Sequence, residues 1–166
     1  MTKAIEPPMG ESAWIFNMTA PGPSLPWCWA RERLESALIY WFTTASATGF
    51  PHSRPVWGAW HLDSFWFASQ NRCIGHLAEN SQASVNITQG DDVVVVEGVA
   101  EQVTDHDGIG VLVDAYDSKY SWESRPEAGK IRRTEGTTAP VYRITPVNVY
   151  GWPLAGWESA TRWSFR

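Results

Sequence analysis

Residues 47–60 read ATGFPHSRPVWGAW, and the way this stretch is read decides the fold. Thr48-Gly49 is a turn signal. Pro51 fixes the backbone angle where a strand begins, and Pro55 inside that strand withholds one ladder hydrogen bond. A strand of this kind, expected over residues 53–60, belongs at a sheet edge or a bulge, where a ligand reaches bare backbone groups. Its amides and carbonyls suit a planar heterocycle with donors and acceptors along one edge. The competing reading is a distorted edge strand whose indoles fill the core.

The flanking sequence makes the neighbours strands as well. Leu38-Ile39-Tyr40-Trp41-Phe42-Thr43-Thr44 is a β-rich run, and Asp63-Ser64 turns into Phe65-Trp66-Phe67-Ala68-Ser69. Residues 70–80 switch to helical spacing, with Ile74, Leu77 and Ala78 on one face, Asn71 as N-cap and Asn80 as stop. Residues 83–88 alternate again. Gly90-Asp91-Asp92 then turns into Val93-Val94-Val95-Val96, a run that predicts a strand covered on both faces, with a second subunit as one cover.

Residues 104–122 carry Ile109, Leu112, Val113, Tyr116 and Tyr120 on one helical stripe, capped by Thr104 or Asp105. The polar residues 121–138 read as loop. Val141 to Tyr150 is a last long strand in which Pro146 marks a bulge or an edge. Upstream, residues 27–37 form a short amphipathic helix on Ala30, Leu34 and Ala37 or Leu38, with Ser24 or Pro26 near its start. The division expected is an extended N-terminal arm, residues 1–26, docked by Trp14, Ile15 and Phe16, and one domain, 27–166, with a tryptophan-rich tail. Strand count and hairpin-length connections predict a mainly β architecture, a six-stranded antiparallel barrel with flanking helices.

The totals narrow the function. A chain of 166 residues supports one core. Its net charge of −5 argues against a general nucleic-acid binder, and the basic run Lys130-Ile131-Arg132-Arg133 is only local. Its 11 tryptophans suggest flat cavity walls or interfaces. Cys28 and Cys73 form no CxxC pair, so reduced cytoplasmic thiols are expected. The first residues lack the apolar segment of a signal peptide, and no apolar run reaches membrane-spanning length. His52, His61, His76 and His106 show no metal-ligand spacing. The absence of a nucleophile elbow, a phosphate-binding P-loop or an acid/base pair leaves no catalytic residue singled out, so a cofactor would carry the chemistry of an enzyme.

Ser69-Gln70-Asn71-Arg72-Cys73 lies where a strand gives way to a helix, so unpaired first-turn N–H groups, polar side chains and the Arg72 guanidinium can face an anion. A plain capped helix is the competing reading. Cys73 in that first turn is either a thiol of lowered pKa or a small space-filler. His76, one turn beyond Arg72, faces the same ligand or solvent. In the tail, Arg162-Trp163 either meets an anionic ligand or clasps a partner subunit.

In order and spacing, Tyr40-Trp41-Phe42-Thr43-Thr44, Gly49-Phe50-Pro51-His52, Pro55-Val56-Trp57-Gly58, Phe65-Trp66-Phe67, His76-Leu77, the Asp91–Glu101 block and Lys119-Tyr120 with Trp122 resemble the pyridoxamine-5′-phosphate-oxidase-like, flavin/deazaflavin oxidoreductase superfamily. The resemblance spans about residues 29–150. It implies a six-stranded split barrel of the FMN-binding type, a homodimer, and FMN or the deazaflavin coenzyme F-420 bound between subunits. By that resemblance Arg54, Pro55, Val56 and Trp57 contact the ring, and Ser69, Asn71 and Arg72 the phosphate, with Cys73 and His76 beside them.

Two departures stand out. Cys73 occupies a position where the family commonly has lysine, and His76 one where it has asparagine. Losing the lysine removes a charged hydrogen bond worth about 1.5–3 kcal/mol. The turn reads Thr48-Gly49-Phe50 where Asp-Gly-Arg is more usual.

The leading expectation is therefore a flavin oxidoreductase acting on a small planar substrate. A deazaflavin-dependent reductase is the second, using Lys119, Lys130, Arg132 and Arg133 as a track for an acidic tail. A non-catalytic flavin- or haem-binding dimer is the third, and a monomeric lipocalin-like barrel the fourth.

Overall fold

The computed structural model describes residues 9–12 and 22–165. Trp14, Ile15 and Phe16, the expected anchors of the N-terminal arm, lie outside the described residues. In chain order the elements are β1 (Gly10–Ser12), α1 (Trp27–Ser36), β2 (Tyr40–Ala45), β3 (Pro51–Val56), β4 (Gly58–His61), β5 (Ser64–Ala68), α2 (Arg72–Glu79), β6 (Gln82–Gln89) and β7 (Asp92–Val103). There follow α3 (His106–Tyr120), β8 (Ser124–Glu127), β9 (Lys130–Arg133), β10 (Thr138–Ala139), β11 (Val141–Trp152), a 3₁₀ turn (Trp157–Ser159) and β12 (Thr161–Ser164).

The main sheet is antiparallel throughout, in the order β1-β12-β11-β7-β6-β2-β3, and β5 joins it on the N-terminal half of β11 with β4 beyond. This is a mainly β split barrel with flanking helices, as the sequence predicts. Period-two alternation points one set of side chains inward: Tyr40, Phe42 and Thr44 on β2; Ala83, Val85 and Ile87 on β6; Val94 and Val96 on β7. Within one chain the valine run is sealed on one face. Val94 and Val96 are fully buried, whereas Val93 and Val95 are only partly covered on the outer face, opposite Trp152 and Tyr150.

Helix α1 closes one end of the core with Trp27, Ala30 and Leu34. Arg33 fixes its position, stacking on Trp29 and pairing with Asp92 at the start of β7 at 2.5 Å. Leu38, a candidate for the same stripe, is exposed. Most of the inner tryptophans are structural. Trp27 meets Trp60 and Trp163 edge-to-face at 6.1 and 5.6 Å, and Trp66 donates its indole N–H to the His61 carbonyl. The tail folds back as β12, with Trp163 in the core and Arg162 paired to Glu11 of β1.

Three local features follow from single residues. Asp105 caps α3, accepting the Gly108 N–H at 2.7 Å. The register of β11 against β7 shifts between Pro146 and Asn148, the bulge that Pro146 predicts. The polar stretch expected as loop instead forms the β8–β9 hairpin, turned by Ala128 and Gly129 at φ 49° and 75°. Positive φ at both turn residues matches the twist of the flanking strands.

The stretch at 53–60 proves to be two strands. β3 pairs with β2, β4 pairs with β5, and Trp57 belongs to neither ladder. Passing the chain from one partner to another at a single residue closes the barrel and splits it.

Candidate functional site

Breaking a strand at Trp57 leaves backbone groups without ladder partners, and buried polar groups must be paired. Two phenols on α3, one helical turn apart, supply the pairs. Tyr116 donates to the Trp57 carbonyl at 3.0 Å and accepts the Ala68 N–H at 3.1 Å. Tyr120 accepts the Gly58 N–H at 3.1 Å and lies 2.8 Å from the Gly58 carbonyl and 2.9 Å from that of Leu38. Burial pushes both phenols above their ordinary pKa, so they remain protonated donors. Gly58 is obligatory here, because a Cβ would lie 2.3 Å from the Phe65 ring and 2.8 Å from the Trp66 carbonyl oxygen.

With its carbonyl held inward, Trp57 keeps its indole about half exposed at the rim of a groove of about 310 Å³. The groove is bounded by Arg54, Pro55 and Val56 of β3, by Ser69, Gln70 and Asn71 between β5 and α2, and by Arg133, Glu135 and residues 137–139 around β9 and β10. The sequence-derived residues Arg54, Pro55, Val56, Trp57, Ser69 and Asn71 are thereby brought to one place. Arg72 is exposed on the first turn of α2, outside this lining. Cys73 is fully buried in the barrel core on the same helical face as Leu77, and burial raises its thiol pKa. His76 lies elsewhere, 3.0 Å from the Thr44 hydroxyl and edge-on to His52 at 5.9 Å.

Asn71 occupies the N-cap position of α2 without capping it. Its side chain instead donates to the Ser69 hydroxyl at 2.9 Å. The first-turn amides of α2 therefore carry no side-chain cap on the groove side. Arg54 and Arg133 both line the groove, and among the described residues neither guanidinium pairs with a carboxylate, in contrast to Arg33, Arg132, Arg143 and Arg162. The groove thus combines two cations without carboxylate partners and one acid, Glu135, beside the start of α2. Electrostatically this suits an anion.

Glu135 and Thr137–Ala139 line the groove without having a role in the sequence reading, and Arg133 enters that reading only as one of the four track cations. The Ala128-Gly129 dipeptide is a turn signal that the stretch carries. Of the four cations considered as a track, only Arg133 lines the groove. Lys119 turns inward to donate to Tyr40 at 2.7 Å, Arg132 pairs with Glu127, and Lys130 is exposed on β9. Burial lowers the Lys119 pKa to about 8.

A sheet that changes partners at one broken strand, with a ligand-sized groove beside the break, defines the split-barrel class. Within it, residues 30–152 match the family model for pyridoxamine 5′-phosphate oxidase, and the chain belongs to that family. No curated protein matches the chain.

Solved structures share the fold at low identity. A protein related to general stress protein 26, of the pyridoxinephosphate oxidase family, from Clostridium acetobutylicum superposes with TM-score 0.60 at 14% identity over 83% of this chain and 93% of its own. An F420 reductase gives 0.55 at 15% over 72% and 94%. A FAD-binding protein from Mesorhizobium loti gives 0.58 at 16% over 86% and 96%.

Proposed function

We propose that the groove beside Trp57 binds flavin mononucleotide and that the protein, as a homodimer, passes hydride or electrons between the flavin and a small planar substrate. The observation that carries this reading is the groove itself, which sets an edge strand with an exposed indole beside uncapped helix amides and two unpaired arginines. Pro55, Val56 and Trp57 would flank the ring. Ser69, Asn71, the first amides of α2 and the Arg54 guanidinium would hold the phosphate, replacing the lysine whose position Cys73 occupies. The flavin supplies the redox chemistry; the chain orients the ring, excludes water and neutralises the phosphate.

FMN suits the groove better than coenzyme F-420 with its longer acidic tail, because the cations expected along that tail are dispersed or already paired. The homodimer reading rests on the outer sheet face. There Trp41, Val99 and Val147 are each about half exposed, and a recess of about 480 Å³ lies between β2, β6, β7 and β11.

Titration of the purified protein with FMN, followed by flavin fluorescence, is expected to show stoichiometric quenching, with sedimentation giving a dimer. Asn71→Asp places a negative charge at the phosphate end and is expected to weaken FMN roughly tenfold, about 1.4 kcal/mol. Absence of FMN binding overturns the reading. Binding of F-420 in its place moves the assignment to the deazaflavin class.

A further inference from the structure

Beyond Trp57 the groove is continued by a second recess of about 470 Å³, walled by Trp57, Trp122, Ser124 and Arg133, with Glu123 and Glu135 at its edge. Trp57, Arg133 and Glu135 belong to both spaces. The two indoles stand 5.8 Å apart at 71°, and Tyr120 stacks behind Trp122 at 4.7 Å. The Arg133 guanidinium lies 5.8 Å from the Trp122 ring centre. Its Nε is buried and makes no hydrogen bond.

We propose that this recess is the substrate subsite and that it selects a flat aromatic monocarboxylate. The inference rests on the reading that the adjoining groove holds the flavin, since the shared Trp57 then sets substrate beside cofactor. The indoles of Trp57 and Trp122, packed edge-to-face on each other, form a corner against which one face and one edge of the ring rest. Arg133 takes the carboxylate in a forked pair through its two terminal Nη groups. Glu123 and Glu135 leave the recess with more negative than positive charge, so a second anionic group on the ligand is repelled. A carboxylate-bearing single or fused ring is selected over phosphate esters and dicarboxylates.

The test compares indole-3-carboxylate, its carboxamide and benzene-1,4-dicarboxylate by calorimetry on the full-length protein, with and without saturating FMN. The carboxylate is expected to bind at least tenfold more tightly than either of the others, and Arg133→Gln to abolish its advantage over the carboxamide. Equal affinities in the wild-type protein overturn the proposal without any variant, so a poorly folding Arg133→Gln leaves it testable.

FMN binding with no such discrimination rejects the subsite and keeps the flavin reading. Discrimination without FMN binding rejects its role as a redox substrate site. If Arg133→Gln instead lowers FMN affinity and leaves the carboxylate untouched, Arg133 serves the cofactor and the proposal fails.

Discussion

The sheet is interrupted twice, and the two interruptions are repaired differently. At the β11 bulge an extra residue, Val147, is squeezed out opposite Gly98, yet β11 keeps its partner β7 on both sides. The stranded Val147 carbonyl is taken by a backbone donor, the Phe165 N–H at 2.9 Å. At Trp57 the chain changes partners altogether, and the stranded groups are taken by the phenols of Tyr116 and Tyr120. Both places need glycine. A Cβ at Gly98 would sit 2.4 Å from the Thr145 carbonyl oxygen, and one at Gly58 against the Phe65 ring. Backbone repair is insensitive to side-chain identity, whereas side-chain repair can be altered by one substitution. The groove lies beside the second kind, where geometry is free to vary within a fixed barrel.

The glycines give the largest expected effects. Gly98→Ala and Gly58→Ala should each cost about 1–3 kcal/mol in urea unfolding. Gly98→Ala should cost more, because its nearest obstacle is a backbone oxygen at 2.4 Å, whereas at Gly58 the nearest is the Phe65 ring and the backbone oxygen of Trp66 stands at 2.8 Å. A larger loss at Gly58 would show the break to be the more rigid of the two. Tyr116→Phe strands the Ala68 N–H and the Trp57 carbonyl in a buried setting and should also cost about 1–3 kcal/mol. It should weaken FMN as well, while Phe165→Pro, which removes the donor at the bulge, should lower stability and leave FMN affinity unchanged. Equal effects on FMN would erase the functional distinction between the two repairs.

A smaller effect is set by pH. Lys119 is held by burial at a pKa of about 8, below its ordinary value of 10.5. Between those values the folded chain has released a proton that the unfolded chain still binds, so this group's contribution to stability rises with pH across that window. Subtracting the Lys119→Met profile from the wild-type profile should reveal that rise, and a flat difference would place the ammonium in solvent. The smallest change is a gain. Leu62 and Asp63 turn β4 into β5 at φ 51° and 50°, a conformation suited to Asn-Gly. Leu62→Asn with Asp63→Gly should stabilise by about 0.5–1 kcal/mol, read as a raised melting temperature.

The contrast also explains what the sequence could disclose. Pro146 announces the bulge, Asp105 its helix, and the alternation in β2, β6 and β7 the barrel wall, because each is a local rule acting on local residues. The break at Trp57 has no local sign beyond Pro55 and Gly58. It depends on tyrosines some 60 positions further along the chain. Arg54 to Trp57, Ser69 and Asn71 were legible as groove residues from strand-edge and helix-start chemistry. Glu135 is not, and Arg133 is legible only as one of the four track cations, since their approach is made by a hairpin that docks across the chain. Cys73 proves to be the small space-filler that its sequence setting allows, since its spacing of four from Leu77 turns it to the core.

That buried thiol gives the protein an internal stopwatch. Cys28 is exposed and Cys73 sealed, so an alkylating reagent should mark the first at once and the second only when the barrel opens beside Ser69. Any molecule seated against Ser69 and Asn71 should delay the second mark, and the delay reads occupancy directly, even for a ligand that is colourless and not turned over.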